Sequence, residues 1–275
     1  MEQVLNLCDF LMILSFGPTN STFRGFQKLK SWKFLFELNM QTDLIRFRSS
    51  IFYTMTFVGI LWLVRITESL LSFDLGVLGI HPRSLAGTVG IITGPLVHGD
   101  FQHLTSNSLP LIFLGIGVFY FYNRIALEVF FGIYFFTSLW VWIVARDAYH
   151  IGASGIVYGL ASFLLFSGFF RKDSRSIAIS LIVIFLYGGM AYGLFPVNEG
   201  ISWESHLLGS LAGLISAFFY RRHQLSTAEA LVDSEQISLP EPRPPDSVFS
   251  NTLSDSQRTI RYYYKSKQAG QDSDP

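Results

Sequence analysis

Ile125-Ala-Leu-Glu128-Val-Phe-Phe-Gly-Ile-Tyr-Phe-Phe-Thr-Ser-Leu-Trp-Val-Trp-Ile-Val-Ala145 carries a single charge, Glu128, near its start. As a helix rising 1.5 Å per residue, such a run spans about the 30 Å of a bilayer's hydrocarbon core. It lacks the alternation of an outer-membrane barrel strand and is too long for one, so only a helix satisfies its backbone in lipid. Comparable apolar runs lie at 51–71, 104–122, 153–170, 176–195 and 205–220. The sequence therefore predicts an all-α membrane protein with six transmembrane helices.

Composition agrees. Of the 275 residues 50% are hydrophobic and only 15% charged, against roughly 25% charged in an ordinary soluble domain. The formal net charge is zero, which leaves no global basic field to hold nucleic acid. The one cysteine, Cys8, excludes an internal disulfide framework and a cysteine-rich zinc site. No phosphate-binding loop or metal-ligand cluster is evident, and neither a cofactor nor a metal is expected.

The charges are unevenly placed. Arg46, Arg48, Arg124, Arg171, Lys172, Arg175, Arg221 and Arg222 fall at helix ends on one side, against Arg83 and Arg146 on the other. By the positive-inside rule both termini are cytoplasmic. Three parts follow: a basic N-terminal segment, 1–50; a six-helix domain, 51–220; and a polar tail, 221–275. Within the first, residues 10–16 are too short and poorly flanked to be a signal peptide or a span, and Met40 is a candidate true start. The tail holds Leu239-Pro-Glu-Pro-Arg-Pro-Pro245 and is expected to be mostly disordered. The 72–103 connection, apolar and rich in glycine, is expected to lie against the outer leaflet.

Polar residues inside spans are costly in lipid unless they face the interior or a water-filled cavity. Three clusters stand out. His103 and Asn107, preceded by His98, share one face at the start of the second span. Gly152-Ala-Ser154-Gly155 opens the fourth, where free backbone N–H groups favour a developing oxyanion and leave the Ser154 hydroxyl exposed; Tyr158 follows one turn on. His206, Gly209 and Gly213 form a stripe on the sixth, and Gly155 with Gly159 forms a matching stripe on the fourth, so these two helices are expected to pack closely. Spans two, four and six all run inward from the external side, which puts the three clusters in one outer layer. Taken alone, each pattern also fits plain helix packing. Glu204 is a weak candidate for a third catalytic member, and Arg65 with Glu68 reads as an ion pair on the first span or as outward-snorkelling groups.

The motifs H-x4-H-x3-N (His98, His103, Asn107), G-x-S-G followed by Tyr158, and H-x2-G-x3-G (His206, Gly209, Gly213) occur in order on spans two, four and six. This combination resembles the rhomboid intramembrane serine proteases over residues 51–220. The resemblance implies a rhomboid-like bundle in which a Ser154–His206 dyad cleaves transmembrane protein substrates. It further implies an oxyanion hole of His103, Asn107 and the Ser154 N–H, with Tyr158 stacked on His206 and His98 ordering the loop and second helix. Gly152, Gly155, Gly209 and Gly213 would be supporting residues. One departure is the absence of a Trp-Arg dipeptide from the external connection, where only Pro82-Arg83 stands nearby. The rival reading is a non-proteolytic rhomboid-like protein that binds membrane helices in quality control or trafficking, which would have no need for Ser154 and His206 together. A small-solute transporter is a third, for which broken helices in matching halves are missing. The fifth span with Gly188, Gly189 and Gly193, together with the 196–204 loop, is read as gate and cap for a substrate entering from the bilayer. The compact form suits a multi-pass protein of a bacterial plasma membrane.

Overall fold

The computed structural model describes residues 20–196, 200 and 202–223, with residues 20–36, 38 and 39 described by backbone alone. The expectations for residues 1–19, for 197–199 and 201 of the 196–204 loop and for the tail beyond 223 lie outside the described residues. Six long helices make up the described part: α1, Asn20–Leu71; α2, Phe101–Phe121; α3, Ala126–Val144; α4, Ser154–Arg171; α5, Ser174–Tyr187; and α6, Trp203–Phe219.

Helix α1 begins far ahead of the expected 51. No Pro or Gly interrupts residues 26–58, so nothing stops the helix at the polar boundary, and Asp43 pairs with Arg46 one turn apart at 3.6 Å. Met40–Leu71, Phe101–Phe121, Ala126–Val144, Ser154–Arg171 and Ser174–Leu194 are long and apolar enough to cross a membrane. Helix α6 has 17 residues and carries Glu204 and His206 in its first turn; it is not among those five.

Caps explain the remaining boundaries. Asp100 accepts the His103 N–H through its side chain at 2.7 Å, so α2 starts three residues before the expected 104. Asp173 does the same for Ser176 at 2.9 Å and starts α5 at 174, after Lys172 has turned the chain through a left-handed φ of 59°. Helix α5 also ends early, because residues Gly188–Leu194 tighten into a 3₁₀ turn.

Leu104, Leu111, Leu114, Val118, Ile133, Ile156, Leu160, Phe163 and Leu164 form the buried core. Phe131, Phe169, Leu181, Phe185 and Phe219 point outward and stay exposed. Buried small and polar side chains inside an apolar exterior are what a bilayer-embedded bundle requires. On α1, Arg65 and Glu68 pair at 2.7 Å, as the sequence suggested, and Glu68 also accepts the Leu75 N–H at 2.9 Å.

The connection between α1 and α2 is not a plain loop. It folds into short helical turns at Leu75–Leu78, Ala86–Thr88, Gly90–Thr93 and Gly94–Leu96. It is fastened to the end of α3: Arg83 donates to the Ala145 carbonyl at 2.7 Å, and the Trp142 indole donates to the Ser84 carbonyl at 3.0 Å. Ile80 and His150 exchange backbone hydrogen bonds as an isolated antiparallel bridge, each at 2.9 Å. Arg83 thus anchors the connection without the missing dipeptide.

Candidate functional site

The expected crossing of α4 and α6 is present, and it is backbone against backbone. A Cβ at Gly209 would collide with the Gly155 carbonyl, and one at Gly213 with the Gly159 carbonyl. In return, a Cβ at Gly155 would lie 3.1 Å from the Ser205 carbonyl, and one at Gly159 3.1 Å from that of Gly209. Ser154 is next to Gly155 and His206 next to Ser205, so both residues sit at this crossing.

Tyr158 lies one turn after Ser154, on the same face of α4, and its ring is stacked on that of His206 with 4.1 Å between centroids and 8° between planes. The ring of His206 is fixed at a second point. Its Nδ1 is 2.9 Å from the Gly193 carbonyl. A carbonyl only accepts, so Nδ1 carries the proton and donates, which leaves the lone pair of the neutral imidazole on Nε2. Tyr158 in turn donates its hydroxyl to the Met190 carbonyl at 2.8 Å. The 3₁₀ turn after α5 therefore supplies both carbonyls that hold these two rings.

His103 and Asn107 meet Gly152. Its φ is +101°, in the left-handed region, and a Cβ there would lie 2.6 Å from the His103 Cε1, 2.7 Å from Nε2 and 3.5 Å from the Asn107 Nδ2. Only glycine combines that φ with so little space. The Asn107 Nδ2 is buried and has no hydrogen-bond partner among the described residues. Beside Gly152 it sets an amide donor next to the Ser154 segment.

His98 is fully buried. Its Nδ1 lies 3.3 Å from the Leu96 carbonyl and donates to it, while Nε2 accepts the Ala153 N–H at 3.3 Å. The Gly94 carbonyl takes the Gly152 N–H at 3.0 Å. The connection ahead of α2 thus holds the two residues that precede Ser154. Burial, with His103 nearby, lowers the pKa of His98 from 6.5 to about 4, which keeps the ring neutral and able to accept.

Glu204, weighed as a third member, turns instead to Arg146, with 3.5 Å between Oε1 and Nε. Sequence reasoning missed the Gly193 and Met190 carbonyls, because backbone acceptors leave no mark on residue type. It also missed His150, whose Nδ1 lies 2.6 Å from the Ser202 hydroxyl; the one signal was a histidine four residues before Ser154, with nothing to name its partner.

A family model described as Rhomboid domain matches residues 86–223. An uncharacterized protein of Mycobacterium tuberculosis is 35% identical over 178 residues, covering 60% of this chain and 72% of that protein. An uncharacterized protein of Mycobacterium leprae is 31% identical over 203 residues, 66% of this chain and 77% of its own.

Proposed function

Because the chain belongs to the rhomboid family, we propose that it is an intramembrane serine endopeptidase that hydrolyses peptide bonds in or near transmembrane segments of membrane proteins. Ser154 is the nucleophile and His206 the general base and acid. The observation that carries this reading is the state of His206, held by Tyr158 and Gly193 with its lone pair on Nε2, beside the crossing where Ser154 lies.

A serine hydroxyl is a weak nucleophile at its own pKa, so Nε2 removes its proton as Oγ attacks the scissile carbonyl. The resulting oxyanion accepts from the Ser154 N–H, the His103 ring and the Asn107 amide. The imidazolium protonates the leaving amine, the peptide bond breaks, and an acyl-enzyme remains. Water, deprotonated by Nε2, releases the acid and restores Ser154. No acidic third member is required: the Gly193 carbonyl sets the tautomer and Tyr158 sets the ring plane, the two tasks an aspartate performs in a triad. His98 and Gly152 hold the serine segment, and Gly155, Gly209 and Gly213 permit the crossing.

In this reading α6 is a sixth span, both termini are cytoplasmic and the membrane is a bacterial plasma membrane. Substrates enter from the bilayer beside α5, which is the gate. A cross-link between α5 and α2 is expected to abolish cleavage of a membrane substrate, and undiminished cleavage would remove the gate. The dyad is tested by a serine-directed fluorophosphonate in detergent, with Ser154→Ala and His206→Ala as controls. The wild type should label and both variants should not; equal labelling of wild type and Ser154→Ala would leave the non-proteolytic helix-binding protein as the better reading.

A further inference from the structure

His150 is 2% exposed and takes no part in the proposed reaction, yet it touches all three segments that frame the site. Its backbone forms the bridge to Ile80 of the α1–α2 connection, through N–H and C=O both at 2.9 Å. Four residues later comes Ser154. Its side chain reaches across to Ser202, the residue that caps α6.

The hydrogen bonds along this side chain have one direction. Nε2 lies 3.1 Å from the Arg146 carbonyl, which only accepts, so Nε2 donates and Nδ1 is the acceptor. Ser202 therefore donates its hydroxyl to Nδ1 at 2.6 Å. The Ser202 oxygen is left to accept from the Ser205 hydroxyl at 2.7 Å and from the Ser205 N–H at 3.4 Å. The Ser202 carbonyl accepts the N–H of His206 itself at 3.4 Å. A continuous chain of bonds runs from Arg146 through His150 and Ser202 to the first turn of α6. Packing supports it on the other side, where a Cβ at Gly94 would lie 2.8 Å from the Ile80 Cγ1 and 3.2 Å from the His150 carbonyl oxygen. The seam holding His150 has no slack.

We propose that His150 is a positioning residue: it locks the segment leading into Ser154 to the N-cap of α6 and so sets the register between Ser154 and His206. The glycine crossing fixes how closely the two helices approach, and the His150–Ser202 bond fixes where along their axes the two side chains meet. This proposal rests on the dyad reading.

The test uses the full chain in detergent, with two readouts. The first is hydrogen exchange of residues 150–155 and 202–206, which does not depend on activity. The second is the rate of fluorophosphonate labelling. His150→Phe keeps a ring of similar size without the polar atoms, Ser202→Ala removes the partner hydroxyl, and Ser202→Thr restores it. His150→Phe and Ser202→Ala are each expected to speed exchange in both segments and to slow labelling by roughly 10- to 100-fold, the scale of a 1 Å misplacement. The double variant should be no slower than Ser202→Ala, which alone removes both the His150–Ser202 bond and the α6 cap, and Ser202→Thr should label as the wild type does. Unchanged exchange, multiplied losses in the double variant, or faster exchange with undiminished labelling would each overturn the proposal. Absence of Ser154-dependent labelling in the wild type would instead overturn the dyad reading, and this one with it.

Discussion

Tyr158 and His206 are joined twice: ring on ring at 4.1 Å, and through separate hydrogen bonds to the same 3₁₀ turn, Tyr158 to the Met190 carbonyl and His206 to that of Gly193. The His206 imidazole is therefore oriented by an aromatic face and a backbone carbonyl. With about 1 kcal/mol in the stack and about 1 kcal/mol in the hydroxyl bond, Tyr158→Ala should slow fluorophosphonate labelling by roughly 30-fold and Tyr158→Phe by roughly fivefold. Equal rates in the two variants would show that the stack does not orient the His206 ring.

Asn107 separates activity from stability. In the proposed mechanism Asn107 is an oxyanion donor, and removing such a donor costs about 10²- to 10³-fold in rate, whereas its Nδ2 makes no hydrogen bond to a described residue whose loss would weaken the fold. Asn107→Ala is expected to lose most labelling while its melting temperature in detergent stays level or rises. A large drop in melting temperature would assign Asn107 a packing role instead.

Gly152→Ala adds a Cβ 2.6 Å from the His103 ring at a residue whose φ is +101°. Left-handed strain alone costs of order 1–3 kcal/mol, and the displaced ring belongs to the site. Both melting temperature and labelling should fall. Retention of both would mean that the His103 ring swings aside without consequence.

His98 makes stability depend on pH. Its pKa is depressed from 6.5 to about 4 in the folded protein, so the unfolded chain binds the extra proton first as pH falls. The contribution is fully present above pH 6.5 and is lost between pH 6.5 and about 4, amounting to about 3 kcal/mol at the outside. His98→Gln should flatten the melting-temperature profile over that interval. An equal slope in wild type and variant would place the titration elsewhere.

The polar clusters were legible because each is local. His103 and Asn107 share a helix face by spacing, and the Gly155–Gly159 and His206–Gly209–Gly213 stripes announce their packing partner by size alone. Segment ends were less so. Asp100 and Asp173 are capping residues that also read as ordinary charges at a membrane boundary, and the long start of α1 hides behind its change to polar composition. Other supports of the site were not legible. Gly193 and Met190 act through carbonyls that any residue has. His150 meets Ser202 across 52 residues, and Arg83 meets Ala145 across 62, distances that only the folded chain closes.

The backbone crossing of α4 and α6 also decides how this protein can be engineered. Replacing a helix glycine by alanine is a common route to a sturdier protein, worth about 0.5–1 kcal/mol per position. That route is closed at Gly155, Gly159, Gly209 and Gly213, where the added methyl meets a neighbouring helix, and open at Gly59 and Gly132, where it meets nothing within 4 Å. A thermostabilised variant for crystallography is best built on α1 and α3, leaving the two helices that carry Ser154 and His206 untouched.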